Sequence, residues 1–285
     1  MNTKDRIFSF ELFPPKTEKG IANLREAVTT LNSRNPAFFS VTYGAGGSTQ
    51  TNTFATVDWI KDQGIDVAPH LSCVGSTRDE LLDILRRYAS QGIDQIVALR
   101  GDLPSGAGRG AIGDLNHANE LVALIRTHFD RAFRIEVAAY PEMHPQAPSF
   151  SRDLDNFRLK VEAGADSAIT QYFYNADAYA AFVDACAKRG IDIPIVPGIM
   201  PITNFSNLVR FSDACGAEIP RWLRKRLEGY GDDTDAIRKL GTEVVTRLCR
   251  QLLDMGAPGL HFYTMNQAEP TLAVWDNLGL AGSLG

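Results

Sequence analysis

Cysteine is scarce. The chain of 285 residues has four, Cys73, Cys186, Cys215 and Cys249, and no two are spaced C-x-x-C. That argues against structural zinc and against a disulfide framework, and leaves buried free thiols as the expectation. Histidine is also sparse. His70, His117, His128, His144 and His261 form no H-x-x-x-H or H-E-x-x-H pair, so no metal is expected. A G-x-S-x-G elbow is lacking, which argues against a serine hydrolase. No run of about 18 apolar residues occurs, so no membrane span is expected. The opening "MNTKDR" has no apolar signal core, and a cytoplasmic location is the expectation. A net charge of −5 gives no reason to expect nucleic acid or an anionic membrane as partner. A small anionic ligand stays possible, because one local basic group suffices for it. Linkers, repeats and low-complexity tracts are missing too, and residues 1–285 read as one domain.

What is present is a rhythm. Apolar, β-rich runs recur at 6–13, 37–43, 67–73, 95–100, 134–140, 167–173, 193–199 and 259–264. Most are near-continuous, as expected of parallel strands covered on both faces. Amphipathic stretches alternate with them. In residues 77–92, Thr77 and Glu80 form a capping box, Leu81, Leu82, Leu85 and Tyr88 share a face, and Gly92 ends the helix. Residues 175–190 repeat the logic, with Asn175 as cap and Gly190 as stop. The last interval is longer and predicts at least two helices, around 204–215 and 232–255, joined by "PRWLRKRLEGYGDD". Eight strands alternating with helices over this length fit a (β/α)8 barrel with extra helices between strands seven and eight. A doubly wound sheet is the rival, with fewer strands.

In such a barrel the chemistry sits at the C-terminal strand ends. There the sequence places Glu11, Thr42, Tyr43, His70, Arg100, Asp102, Tyr140, His144, Gln171, His261 and Tyr263. Glu11 is a lone carboxylate in the apolar run "FSFELFPP". An acid in an apolar surround holds its proton towards neutrality and can donate it. The plainer alternative is a Glu paired to a barrel arginine. "LRGDLP" sets Arg100 and Asp102 around Gly101, which lets backbone approach a ligand, or else forms an ordinary loop ion pair. "YGAGGST" (43–49) could present backbone N–H groups to an anion, or be a plain flexible loop. "GRGAIG" (108–113) matches a dinucleotide fingerprint in form only, since it does not follow its strand directly. A site with an acid, aromatics and hydrogen-bonding groups, but no evident nucleophile or metal, suits an organic cofactor.

"FSFELFPPK", "SVTYGAGGST", "LRGDLP", "AAYPEMHP", "GADSAITQYFY", "PGIMPITNF" and "HFYTMN" together resemble the bacterial methylenetetrahydrofolate reductases, in collinear order from about residue 6 to 275. The resemblance implies a barrel with FAD at its mouth. NADH or NADPH would reduce FAD, and the flavin would pass a hydride to 5,10-methylenetetrahydrofolate in a ping-pong cycle giving 5-methyltetrahydrofolate. It implies Glu11 as the general acid that opens the imidazolidine ring, and Asp102 between flavin and pterin, fixing the pterin and tuning flavin charge. Gln171 is an implied substrate contact, and Phe211 an aromatic that packs on the substrate or on the nicotinamide nucleotide. Thr42, His70, Arg100, Gly101, Asp102, Tyr140, His144, Asp153, Asn156 and Lys160 are implied FAD contacts, with His117 and Ala118 as a further pair. The sequence departs from the family pattern at Asn207, a glutamine in relatives, and at Gln267, where an arginine often meets the folate tail. It departs again at Leu159, a basic FAD contact in some relatives, and in a longer loop after "LRGDLP". A homo-oligomer is the family expectation. The rival readings are another FAD-dependent barrel oxidoreductase, of the proline type, and a non-catalytic folate- or flavin-binding subunit.

Overall fold

In the computed structural model the described residues are 6–43, 47–102 and 113–280. Most of the glycine-rich stretches singled out above, residues 44–46 and 103–112, lie outside them.

Among the described residues, nine strands follow one another as β1 (Ile7–Leu12), β2 (Phe38–Val41), β3 (Val67–Ser72), β4 (Gln95–Leu99), β5 (Arg134–Ala139), β6 (Ser167–Thr170), β7 (Ile195–Val196), β8 (Gly198–Ile199) and β9 (Gly259–Tyr263). Every pairing is parallel, in the order β7-β6-β5-β4-β3-β2-β1-β9-β8. Only Pro197 separates β7 from β8, so the two ends of the sheet are one stave and the sheet is a barrel. The sequence predicts an unbroken strand over 193–199, and the break is a correction. Proline has no N–H to give a ladder. Its carbonyl still pairs, accepting from His261 N at 3.0 Å. Gly198 is needed there, because a Cβ would stand 2.1 Å from Thr170 O.

Among the described residues, ten helices alternate with the staves: α1 (Glu18–Asn32), α2 (Gly47–Asp62), α3 (Arg78–Ser90), α4 (Ala118–Phe129), α5 (Phe150–Glu162), α6 (Ala176–Ala187), α7 (Phe205–Cys215), α8 (Arg221–Gly229), α9 (Thr234–Asp254) and α10 (Ala268–Asn277). Their ends follow local chemistry. The Thr77–Glu80 capping box opens α3, and Asn175 accepts from Asp177 N to open α6. Gly92 and Gly190, both at φ +68 to +73, turn the chain away afterwards. The segment joining the two foreseen helices is itself helix α8, anchored by the buried Leu223 and Leu227.

Strand periodicity then divides the apolar residues. One parity of each strand faces the helices and makes the main core, with Phe10, Leu12, Phe39, Val41, Leu71 and Phe262 fully buried. The other parity faces the barrel axis. There a small cluster of Phe38, Ala68, Val97 and Ile169 fills the bore. Ser9, Ser40 and His261 share that inner face on the neighbouring strands β1, β2 and β9, linked by hydrogen bonds along the wall.

Candidate active site

The C-terminal ends of the staves open into a cavity of about 630 Å³. Glu11, Thr42, His70, Asp102, Gln171 and Phe211 line it, with Gly101, Tyr140, His144 and Tyr263.

Glu11 comes from the end of β1, where it pairs in register with Ser40 and Tyr263. Its Oε2 lies 3.4 Å from His70 Nε2 and 3.6 Å from His261 Nε2. The expected apolar surround is therefore corrected: two imidazoles flank the carboxylate, because β3 and β9 direct His70 and His261 to the same inner layer. No arginine pairs with it among the described residues. His261 is fully buried, and its Nδ1 is hydrogen-bonded to Ser9 Oγ at 2.7 Å. His70 Nε2 is buried without a hydrogen-bond partner, so its 3.4 Å approach to Glu11 is electrostatic contact rather than a formed bond. Burial pulls the His70 pKa below the ordinary 6.5, against the pull of Glu11, with His261 adding to the fall.

The remaining walls are fixed by backbone. Tyr263 donates from its hydroxyl to Thr170 O at 2.6 Å, and burial drives its pKa well up. Gln171 spends its carbonyl oxygen on Tyr172 N at 3.0 Å, which leaves the amide –NH2 for the cavity. Gly101 is at φ +84, and a Cβ there would meet Ser72 Cβ at 2.8 Å. Its freedom is thus used against the neighbouring strand, not only for a ligand. Phe211 stands on α7 beneath the Arg210 guanidinium, 5.0 Å from its ring centre.

A second chamber of about 520 Å³ shares Gly101, Asp102, Tyr140 and His144 with the first. It adds Arg100, His117, Ala118, Asp153, Asn156 and Lys160, together with Arg152 and Leu159. Asp153 accepts from His144 N at 2.8 Å, and the rings of Tyr140 and His144 meet edge to face at 4.5 Å. Burial raises the Tyr140 pKa to about 12, with Asp102 and Asp153 adding to it. Lys160 donates from Nζ to Ala138 O. Burial lowers its pKa to about 8, only partly offset by Asp153.

The structure thus gathers most of the residues anticipated from the sequence into two connected chambers. Asn207 and Gln267 line neither. Asn207 is exposed on α7, and Gln267 caps α10 beside a groove against α1. Sequence reasoning missed Ser9 and Arg152. Ser9 carried a signal, since it is two residues before Glu11 and so on the same face.

Fold and site together define an α/β barrel of the TIM type with its candidate active site in the C-terminal mouth. The chain belongs to the methylenetetrahydrofolate reductase family, whose model matches residues 1–279. It is 41% identical over 277 residues to the 5,10-methylenetetrahydrofolate reductase of Escherichia coli (strain K12), covering 97% of this chain and 92% of that one. A similar enzyme of Pectobacterium carotovorum is 39% identical, covering 95% and 90%. Among solved structures, a Clostridium thermocellum protein that binds two copies of 5-methyl-5,6,7,8-tetrahydrofolic acid superposes with a TM-score of 0.67. That match covers 97% of this chain and 94% of the other, and at 19% identity it bears on the fold alone. No helix among the described residues is long and apolar enough to cross a membrane.

Proposed function

We propose that this chain reduces 5,10-methylenetetrahydrofolate to 5-methyltetrahydrofolate, with NADH or NADPH as reductant and FAD as cofactor. Family membership supports the reaction. The observation that carries the mechanism is the placement of Glu11 at the inner end of the first chamber, between His70 and His261. The methylene bridge opens when its departing nitrogen takes a proton, and Glu11 is the acid within the chamber that is placed to supply it. Gln171 turns amide donors towards the pterin, and Phe211 packs on it. Asp102, on the wall common to both chambers, holds the pterin from the other side.

The second chamber fits FAD by the chemistry of its donors. Arg100, Arg152 and Lys160 offer cations, and among the described residues Lys160 has no ion-pair partner. An ammonium held at about 8 by burial is stabilised by an arriving anion such as a pyrophosphate. His117, Ala118, Asp153 and Asn156 of this chamber, Tyr140 and His144 of the shared wall, and Thr42 and His70 from the first chamber complete the proposed cradle. FAD, when bound, supplies hydride transfer. Asn207 lies one turn before Phe211, and Gln267 two residues after Met265, so both are assigned to the substrate's tail outside the mouth. The ping-pong order follows if reductant and folate use the first chamber in turn, and parallel initial-rate lines would check it. A homo-oligomer remains part of the proposal, to be read by light scattering.

The test is anaerobic. A yellow holoprotein should bleach with NADH or NADPH and regain colour with methylenetetrahydrofolate. In Glu11→Gln, bleaching should persist while folate turnover falls by roughly 100-fold or more, in line with general-acid contributions. Bleaching without any response to folate would favour the proline-type rival. Unchanged turnover in Glu11→Gln would remove that residue from the mechanism.

A further inference from the structure

Among the described residues, no hydrogen bond of the Glu11 side chain fixes its height in the bore. Both imidazoles stand beyond 3.3 Å, and the carboxylate is partly exposed. Its position must come from the backbone of β1, and that backbone is about to end. Pro14 and Pro15 carry no N–H, so Phe13 has the last donor before the chain leaves the barrel. Phe13 is itself 40% exposed and gives little packing.

The end of β1 is instead held from both sides by hydrogen bonds. On the β2 side, Thr42 N donates to Leu12 O at 3.0 Å. On the β9 side, Thr264 donates to Glu11 O from Oγ1 at 2.6 Å and from N at 3.3 Å. Asn266 then takes both polar groups of Phe13. Its Oδ1 accepts from Phe13 N at 3.0 Å, and its Nδ2 donates to Phe13 O at 2.8 Å. Asn266 N also donates to Thr264 Oγ1 at 3.1 Å, so the two residues act as one brace. The brace requires an unusual turn: Met265 and Asn266 have φ of +51 and +55. Asn tolerates that region, but Met enters it at a cost that neighbouring contacts must offset. Met265 lines the first chamber.

We propose that Asn266 is a positioning residue: its carboxamide locks the backbone of Phe13 and, with Thr264, sets where the Glu11 carboxylate stands between His70 and His261. The inference rests on the reading of Glu11 as the proton donor. Asn266→Gly separates the brace from the turn, since glycine adopts the same φ without strain and loses only the carboxamide. Asn266→Gly should lower kcat for methylenetetrahydrofolate roughly 10- to 100-fold, as for a misplaced catalytic group. It should also shift the alkaline limb of the kcat–pH profile, where a proton donor is lost, and speed amide exchange at Phe13. Oxidation of NADH with an artificial quinone acceptor, which needs no acid, should be unchanged. Equal losses in both assays, or an unchanged kcat and pH profile, would overturn the proposal. Glu11→Gln run alongside separates the failures. An unaffected Glu11→Gln overturns the assignment of the acid, whereas an impaired Glu11→Gln beside an unaffected Asn266→Gly overturns the brace alone.

Discussion

Gly101 shows how little latitude a single position in this site has. It combines a left-handed φ with a strand neighbour, Ser72, that leaves no room for a side chain. Gly101→Ala is expected to cost about 1–3 kcal/mol from backbone strain alone. Adding Ser72→Gly should recover only the steric part, and urea midpoints of the single and double variants would measure the split. His70 makes a different demand. Its native pKa lies below the unfolded 6.5, so the unfolded chain binds the proton more readily. Stability is full above pH 6.5 and falls as the pH drops below it, by up to about 1.4 kcal/mol per unit until the native group also titrates. Chemical unfolding at pH 7.5 and 5.5 should show that fall, and His70→Asn should flatten it.

At the level of elements, periodicity and caps carried most of the information. Helices α3 and α6 begin at the residues their caps indicate, because a side-chain acceptor three or fewer residues away is a local fact. Helix α8 was hidden for the opposite reason. "PRWLRKRLEGYGDD" has no side-chain cap and is dense in charge, and its helical stripe is short, two buried leucines one turn apart at Leu223 and Leu227. Leu227→Ala should then cost about 2–5 kcal/mol, since that side chain is fully buried, and the loss should appear as a lower melting temperature. The strand ends were legible as a row of polar residues. Their mutual contacts were not, because the Ser9–His261–Glu11 grouping depends on how β1 and β9 are staggered, which no local spacing reveals. Asn207 and Gln267 mark the same limit: adjacency in sequence to Phe211 and Met265 did not bring them into the cavity.

Across the whole molecule, the barrel was readable from the count and spacing of apolar runs, and the break at Pro197 was the exception. That break gives the cylinder a seam. Two register pairs hold β7 to β6 and two hold β8 to β9, where β1 and β9 share five. A closed wall fluctuates most where its rungs are fewest, so this one should part along Pro197 before it parts anywhere else. Native-state hydrogen exchange should find the amides of Ile195 and Gly198 opening ahead of those in β1. The seam runs up to Met200 and Tyr263 on the chamber wall. Parting there must also break the Tyr263 hydroxyl's bond to Thr170 O, which clasps β9 to β6 over the seam, so the mouth loosens on that flank only when this bond opens, while Glu11, across the five register pairs of β1 and β9, keeps its place.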